Sequence, residues 1–167
     1  MNIRLINIAE KNESIQQLEQ IKQKNYGNVD IKIINLHLMR LNVFIGKVVF
    51  RKNDGYITAE TLFDIMKENI GKNKHHFHSL SAEDVYKGLR YLNDPLCIID
   101  EGDDRYLTIS SFLSALNIPI LVIVEINASL VLNKNTRINK VVTMYPSDKT
   151  NLYISRCMKD GTLLYKK

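Results

Sequence analysis

Between Pro95 and Tyr145 the chain reads as apolar segments separated by polar links, most of them of hairpin length. "LCII" leads into the tight acidic turn "DEGDD", and "RYLTI" follows it. "IPILVIVEI" opens at Pro119 and reads as a buried strand, "NKNT" turns the chain, and "INKVVTMY" runs back. Short links join antiparallel neighbours, because a parallel pair needs a crossover of a dozen or more residues. A sheet therefore organises this half of the 167 residues.

The rest of the chain supplies helices to cover that sheet. "ESIQQLEQIKQK", residues 13 to 24, places Ile15, Leu18 and Ile21 on one helical side. "NVDIKII" alternates from Val29 to Ile33 and reads as a strand. "VFIGKVVF" is a second apolar run, ended by a turn at Asp54-Gly55. Thr58 caps a helix carrying Leu62, Met66 and Ile70, closed by Gly71.

The best-specified helix starts at Ser81. Ser81 is the N-cap, Asp84 completes a capping box, and Leu80 and Val85 stand where a hydrophobic staple sits. Val85, Leu89 and Leu92 form its apolar stripe, and Asp94-Pro95 stops it. "TNLYISRCM" fits strand or helix; Ile154, Cys157 and Met158 favour a helix ended by Gly161, before a last strand "TLLYK". The expected fold class is α+β, with N-terminal helices packed on one face of an antiparallel sheet. No composition shift marks a clear domain boundary. Residues 1–60 form an N-terminal helix and strand extension, open to being part of the same domain, and 61–167 the main domain.

The net charge of +5 is unevenly spread: residues 128–167 hold eight basic and two acidic groups, residues 83–104 seven acidic and two basic. The basic segment suits a phosphate backbone, and equally an ordinary solvated lysine surface. Cys97 and Cys157 lie in apolar stretches and read as buried thiols. No apolar run approaches the roughly 20 residues of a membrane helix. The N-terminus "MNIRLINIAEKNES" lacks a signal-peptide pattern, so the expectation is a protein that works in cytosol without a membrane partner.

The segment "HHFHSLSAEDV" holds His75, His76 and His78 just ahead of the capped helix. Zinc needs converging ligands, usually four, and an H-H-x-H loop without a nearby cysteine matches that poorly. A solvated surface cluster is a second reading. Acid–base chemistry is a third, because an imidazole gives and takes a proton near neutral pH. His78 is the sharpest candidate, since a fixed helix start three residues later would hold it still. Amide groups at that helix start would also favour an anionic substrate group. His76 is a second acid–base candidate, His75 a bystander, and His37 a structural histidine.

"HSLSAEDVYKGLRYLNDPLCII" resembles the opening of the nucleases grouped with barnase, EndoU, the colicins and RelE, which include the toxin domains at the C-termini of phage MuF-type proteins. The pattern is met here by His78, Leu80, Ser81, Asp94 and Pro95. An apolar strand like "IPILVIVEI" follows, then an Asn-x-aliphatic-x-hydroxyl-x-Tyr element met by Asn139, Val141, Thr143 and Tyr145, and a close like "GTLLYKK". The resemblance covers residues 76 to 167.

It implies a BECR-like RNase fold with helices on a curved antiparallel sheet. It implies a metal-independent endoribonuclease toxin, without cofactor, that cleaves RNA, tRNA among the candidate targets. The ribose 2′-hydroxyl would attack the phosphorus and leave a 2′,3′-cyclic phosphate. His78 would act as base or acid, with His76 beside it. The implied partners are RNA and a cognate immunity or antitoxin protein, acidic enough to cover a basic groove. The implied setting is a monomeric toxin domain in a target cell's cytoplasm, delivered by a phage or secretion system within a larger protein. An inactive RNA- or protein-binding module of the same fold is the alternative. No glutamate stands in an evident barnase-like base position.

Along "INKVVTMY" the period of two puts Asn139, Val141, Thr143 and Tyr145 on one face. Polar groups on a common side suit a substrate groove. There Thr143 can hold a phosphate oxygen and Tyr145 can donate a hydrogen bond or stack on a base. A half-buried strand aromatic and a turn-flanking asparagine are the ordinary readings of Tyr145 and Asn139. Arg156 or Arg137 would neutralise the transition state, or be solvated surface. Asn139, Arg137, Lys140 and Ser79 are the candidates for substrate contact.

Overall fold

A computed structural model of the protein describes residues 5–36, 53–68 and 77–167. The apolar run at 43–50, His37, Ile70, Gly71, His75 and His76 lie outside the described residues.

The elements are β1 (Leu5–Asn7), α1 (Lys11–Gln23), β2 (Asp30–Ile34), β3 (Gly55–Thr58), α2 (Ala59–Met66), α3 (Ala82–Arg90), β4 (Pro95–Gly102), β5 (Arg105–Leu113), β6 (Pro119–Ser129), β7 (Arg137–Pro146), α4 (Thr150–Asp160) and β8 (Leu163–Lys166). A single 3₁₀ turn, Tyr91–Asn93, joins α3 to β4. The fold is α+β. No helix among the described residues is long and apolar enough to cross a membrane.

Among the described residues eight strands form one sheet in the order β1-β2-β3-β7-β6-β5-β4-β8. The meander β4–β5–β6–β7 is antiparallel throughout, as its short links require. Asp103 and Asp104, both with positive φ, make the two-residue turn between Gly102 and Arg105. The expectation of a wholly antiparallel sheet fails at the other end. β1 runs parallel to β2, with α1 as the crossover, and β3 runs parallel to β7. Strands from the first 60 residues thus complete the same sheet. Gly55, expected in a turn with Asp54, instead opens β3, and a Cβ there would meet the Leu36 side chain.

The two faces carry separate apolar clusters. Leu18 and Ile21 of α1, Leu62 and Ile65 of α2, and Val85 and Leu89 of α3 pack on Ile31, Ile57, Ile98, Val122, Val124, Val141 and Met144. On the opposite face Ile154 and Cys157 of α4 pack on Cys97, Ile99, Leu107, Ile109 and Leu121. Helices therefore cover both faces, not one. Both cysteines are buried, and burial pushes the Cys97 thiol up, so it is a poor nucleophile.

Local chemistry explains the helix ends. Ser81 Oγ accepts from the Asp84 amide at 3.1 Å, and Thr58 does the same for Thr61. The Asp84 carboxylate is turned to the Ala115 amide, 3.2 Å away in the link between β5 and β6. α2 ends at Met66, short of the expected Gly71, because the returning chain takes its last carbonyls. His78 N donates to Asp64 O and Leu80 N to Ile65 O, while Ser79 N donates to Lys67 O just beyond the helix.

A bulge shapes β7. Ile123 pairs with Thr143 and Val124 with Val141, which leaves Val142 as an extra residue. Alternation therefore reverses there. Val141 joins the core under α1–α3, while Tyr145 packs on the α4 side. The expected common face for Asn139, Val141, Thr143 and Tyr145 does not exist.

Replacing Ser81 with Ala removes a helix cap and is expected to cost about 1 kcal/mol. Asp84→Ala strips the Ala115 amide of its acceptor and is expected to cost about 1–3 kcal/mol. Urea denaturation of both variants measures the losses; an unchanged midpoint for Asp84→Ala would show that the carboxylate is dispensable.

Candidate functional site

β3 pairs with β7 only at Gly55↔Asn139 and Tyr56↔Lys140, and the chain then leaves the sheet to form α2. Beyond that point a cleft of 340 Å³ lies between α2 and β7. Thr61, Asp64 and Ile65 line it from the helix, Val142, Thr143 and Tyr145 from the strand, and His78 from the returning loop.

His78 is held from behind by α2 rather than by the helix start ahead of it. Three consecutive amides, at His78, Ser79 and Leu80, are hydrogen-bonded to the end of α2 at 3.0–3.3 Å. Ser79 sits at φ 54, a left-handed conformation that a non-glycine residue adopts at some cost. The kink leaves Ser79 exposed, buries Leu80 and keeps His78 half-buried at the cleft. No residue of α3 lines the cleft, so the expected anion-binding role of that helix start is not realised there.

His78 Nε2 and Thr143 Oγ1 lie 3.2 Å apart, a hydrogen bond whose donor depends on the imidazole tautomer. The Tyr145 ring stands 5.7 Å from the His78 ring, tilted by 37°. The structure thus brings His78 to two β7 residues, of which Thr143 lies 65 positions away in the sequence. Lys67 Nζ lies 4.5 Å from the ring centroid of Phe77, the residue before His78, and places a positive charge nearby.

Tyr145 also borders a second cavity of 160 Å³ with Glu101, Leu121, Ser147, Lys149 and Tyr153. The Tyr153 hydroxyl donates to Glu101. Burial pushes the Tyr145 phenol above the ordinary tyrosine range, and the Glu101 charge adds to the effect. Tyr153 is pushed up further, by burial first and then by its hydrogen bond to Glu101. Both phenols therefore keep their protons at pH 7; that of Tyr153 is given to Glu101.

Other expected site residues lie elsewhere. Arg156 is 79% exposed on α4 and pairs with Asp160 at 3.6 Å. Arg137, at the far end of β7, donates to Ser129 Oγ and Asn127 O. Neither arginine lines the cleft. Asn139 is buried, with its side-chain amide on Asn53 O and its backbone amide on Asp54 O, so it clamps the junction with β3 instead of touching solvent. Lys140 is half-buried, in register with Glu125 and Tyr56. His76 lies outside the described residues.

Residues 69–167 match the family model of the phage MuF-C-terminal domain. The chain belongs to that family. Comparisons with curated proteins and with solved structures found no match. The MuF-C match includes His78, Glu101, Thr143, Tyr145 and Tyr153 but begins after α2, so Thr61 and Asp64 come from outside it. Sequence reading missed both. Their i, i+3 spacing on α2 was a usable signal for two polar groups on one helical side. Glu101 and Tyr153 were missed because only the folded sheet joins an acidic turn to the last helix.

The raised tyrosines carry a sign. Their folded-state protons are held more tightly than the unfolded chain's, so their stabilisation is present below the unfolded value of about 10 and is lost as pH rises above it. The MuF-C chain is expected to lose stability steadily above pH 10, and Tyr153→Phe to lose it less steeply. Urea midpoints across that range test this; equal slopes in the two proteins would contradict it.

Proposed function

We propose that the protein is a metal-independent endoribonuclease with the BECR-like fold, a toxin domain acting on RNA in a target cell. The observation that carries the reading is His78 Nε2 within 3.2 Å of Thr143 Oγ1, with Tyr145 beside it, at a cleft of 340 Å³. An imidazole at such a place can take the ribose 2′-hydroxyl proton or protonate the departing 5′ oxygen. Phosphodiester cleavage then proceeds by attack of the 2′ oxygen on phosphorus, rupture of the bond to the 5′ oxygen, and closure of a 2′,3′-cyclic phosphate. The neutral Thr143 and Tyr145 hydroxyls can donate to the phosphorane oxygens as their charge grows. Asp64, which lines the same cleft from α2, is a candidate for the second proton-transfer group. A toxin of this type calls for an acidic immunity or antitoxin protein that blocks the cleft.

The positions of Arg137 and Arg156 favour a second reading, a module that binds RNA or protein without cleaving, because neither permanent cation reaches the cleft.

Incubation of purified protein with total tRNA in EDTA separates the two. The nuclease reading expects EDTA-resistant cleavage that falls by about 10²–10⁴-fold in His78→Ala. Salt-sensitive binding that leaves the RNA intact would establish the second reading instead, and loss of cleavage in EDTA would point to a metal-dependent hydrolase. Thr143→Val is expected to lower kcat by roughly a hundredfold with little change in KM, as removal of a transition-state donor does. A variant as fast as the parent would remove Thr143 from the mechanism.

A further inference from the structure

Tyr145 is a wall between two cavities. His78 and Thr143 stand on one side, and Glu101, Lys149 and Tyr153 on the other. We infer that the second cavity is a subsite for a guanine base whose 3′-phosphate lies against His78 and Thr143. The phosphate position rests on the nuclease reading; the base site stands on its own chemistry.

That chemistry is specific. The cavity measures 160 Å³, its floor is the buried Leu121, and two tyrosines border it. Aromatic side chains of this kind stack unpaired bases, whose Watson–Crick edges are then read by hydrogen bonds. Here the reading groups are a carboxylate and an ammonium. Guanine presents two adjacent donors, N1–H and the N2 amino group, next to the acceptor O6. A carboxylate takes both donors at once, and Lys149 can reach O6. Adenine sets its acceptor N1 beside a single amino group, so one carboxylate oxygen would face an acceptor. Cytosine does the same with N3. Uracil offers one N–H flanked by two carbonyl oxygens.

The reading groups are also pre-positioned. The Tyr153 hydroxyl holds Glu101, which lowers the ordering cost of binding. The Ser147 hydroxyl accepts from the Lys149 amide at 3.3 Å, and Thr150 Oγ1 donates to Ser147 O at 2.9 Å, fixing the link that carries Lys149.

The test is calorimetric titration with 3′-GMP, 3′-AMP, 3′-UMP and 3′-CMP, alongside end-sequencing of cleaved RNA. The parent protein is expected to bind 3′-GMP about tenfold or more tighter than the other three. Glu101→Gln is expected to erase that preference, because an amide offers one acceptor where two are needed. Lys149→Ala, at an exposed position, keeps the fold and is expected to weaken 3′-GMP more than the other nucleotides. Equal binding of the four nucleotides, or an intact preference in these variants, overturns the subsite. RNA cleavage with no preference for guanine on the 5′ side of the broken bond would also overturn it while leaving the nuclease reading standing. Selective 3′-GMP binding without any RNA cleavage would do the reverse.

Discussion

The parallel contact between β3 and β7 is two residue pairs long, and the sheet hangs together across it. Three strands from the N-terminal part sit on one side, and the meander with β8 sits on the other. Asn139 secures the join by giving its side-chain amide to Asn53 O and its backbone amide to Asp54 O. The join is short because β3 runs straight into the Thr58-capped α2. That brevity leaves the second half of β7 facing a helix instead of another strand, and the cleft lies in the gap. A longer β3 would cover Val142 and Thr143 with ladder hydrogen bonds.

The electrostatics of the region follow from burial more than from net charge. The basic surplus of the C-terminal segment is dispersed: Lys167 pairs with Asp94 at 2.8 Å and Arg156 with Asp160, both exposed and worth little in stability. The groups at the two cavities are mostly neutral hydroxyls and single charges. An arrangement of this kind recognises a ligand by hydrogen-bond geometry, and the wider positive surface adds only non-specific attraction that salt screens.

The sequence revealed the local features and hid the long-range ones. The caps at Thr58 and Ser81, the strands from Pro95 onward and the glycine end of α4 were all legible, because each rests on a few adjacent residues. His78, Thr143 and Tyr145 were singled out as candidates. The β1–β2 parallel pair was not legible: a three-residue strand carries no periodicity. The early end of α2 was hidden because residues more than ten positions downstream supply the amides that terminate it. Asn139 was read as a substrate contact because a strand pattern does not tell a groove-lining position from a junction between strands. Glu101 and Tyr153 lie 52 positions apart, and no local rule links them.

The bulge at Val142 works as a change of parity. Upstream of it the odd-numbered Val141 faces the layer beneath the first three helices; downstream the even-numbered Met144 takes that side and the odd-numbered Tyr145 packs on the side of α4. One strand therefore contributes methyl groups to a core and hydroxyl groups to a cleft without any break in its path. Lengthening or shortening that irregularity by a single residue would turn Thr143 and Tyr145 inward and Met144 outward, so a family member's indel at this point would relocate its chemistry more thoroughly than any substitution.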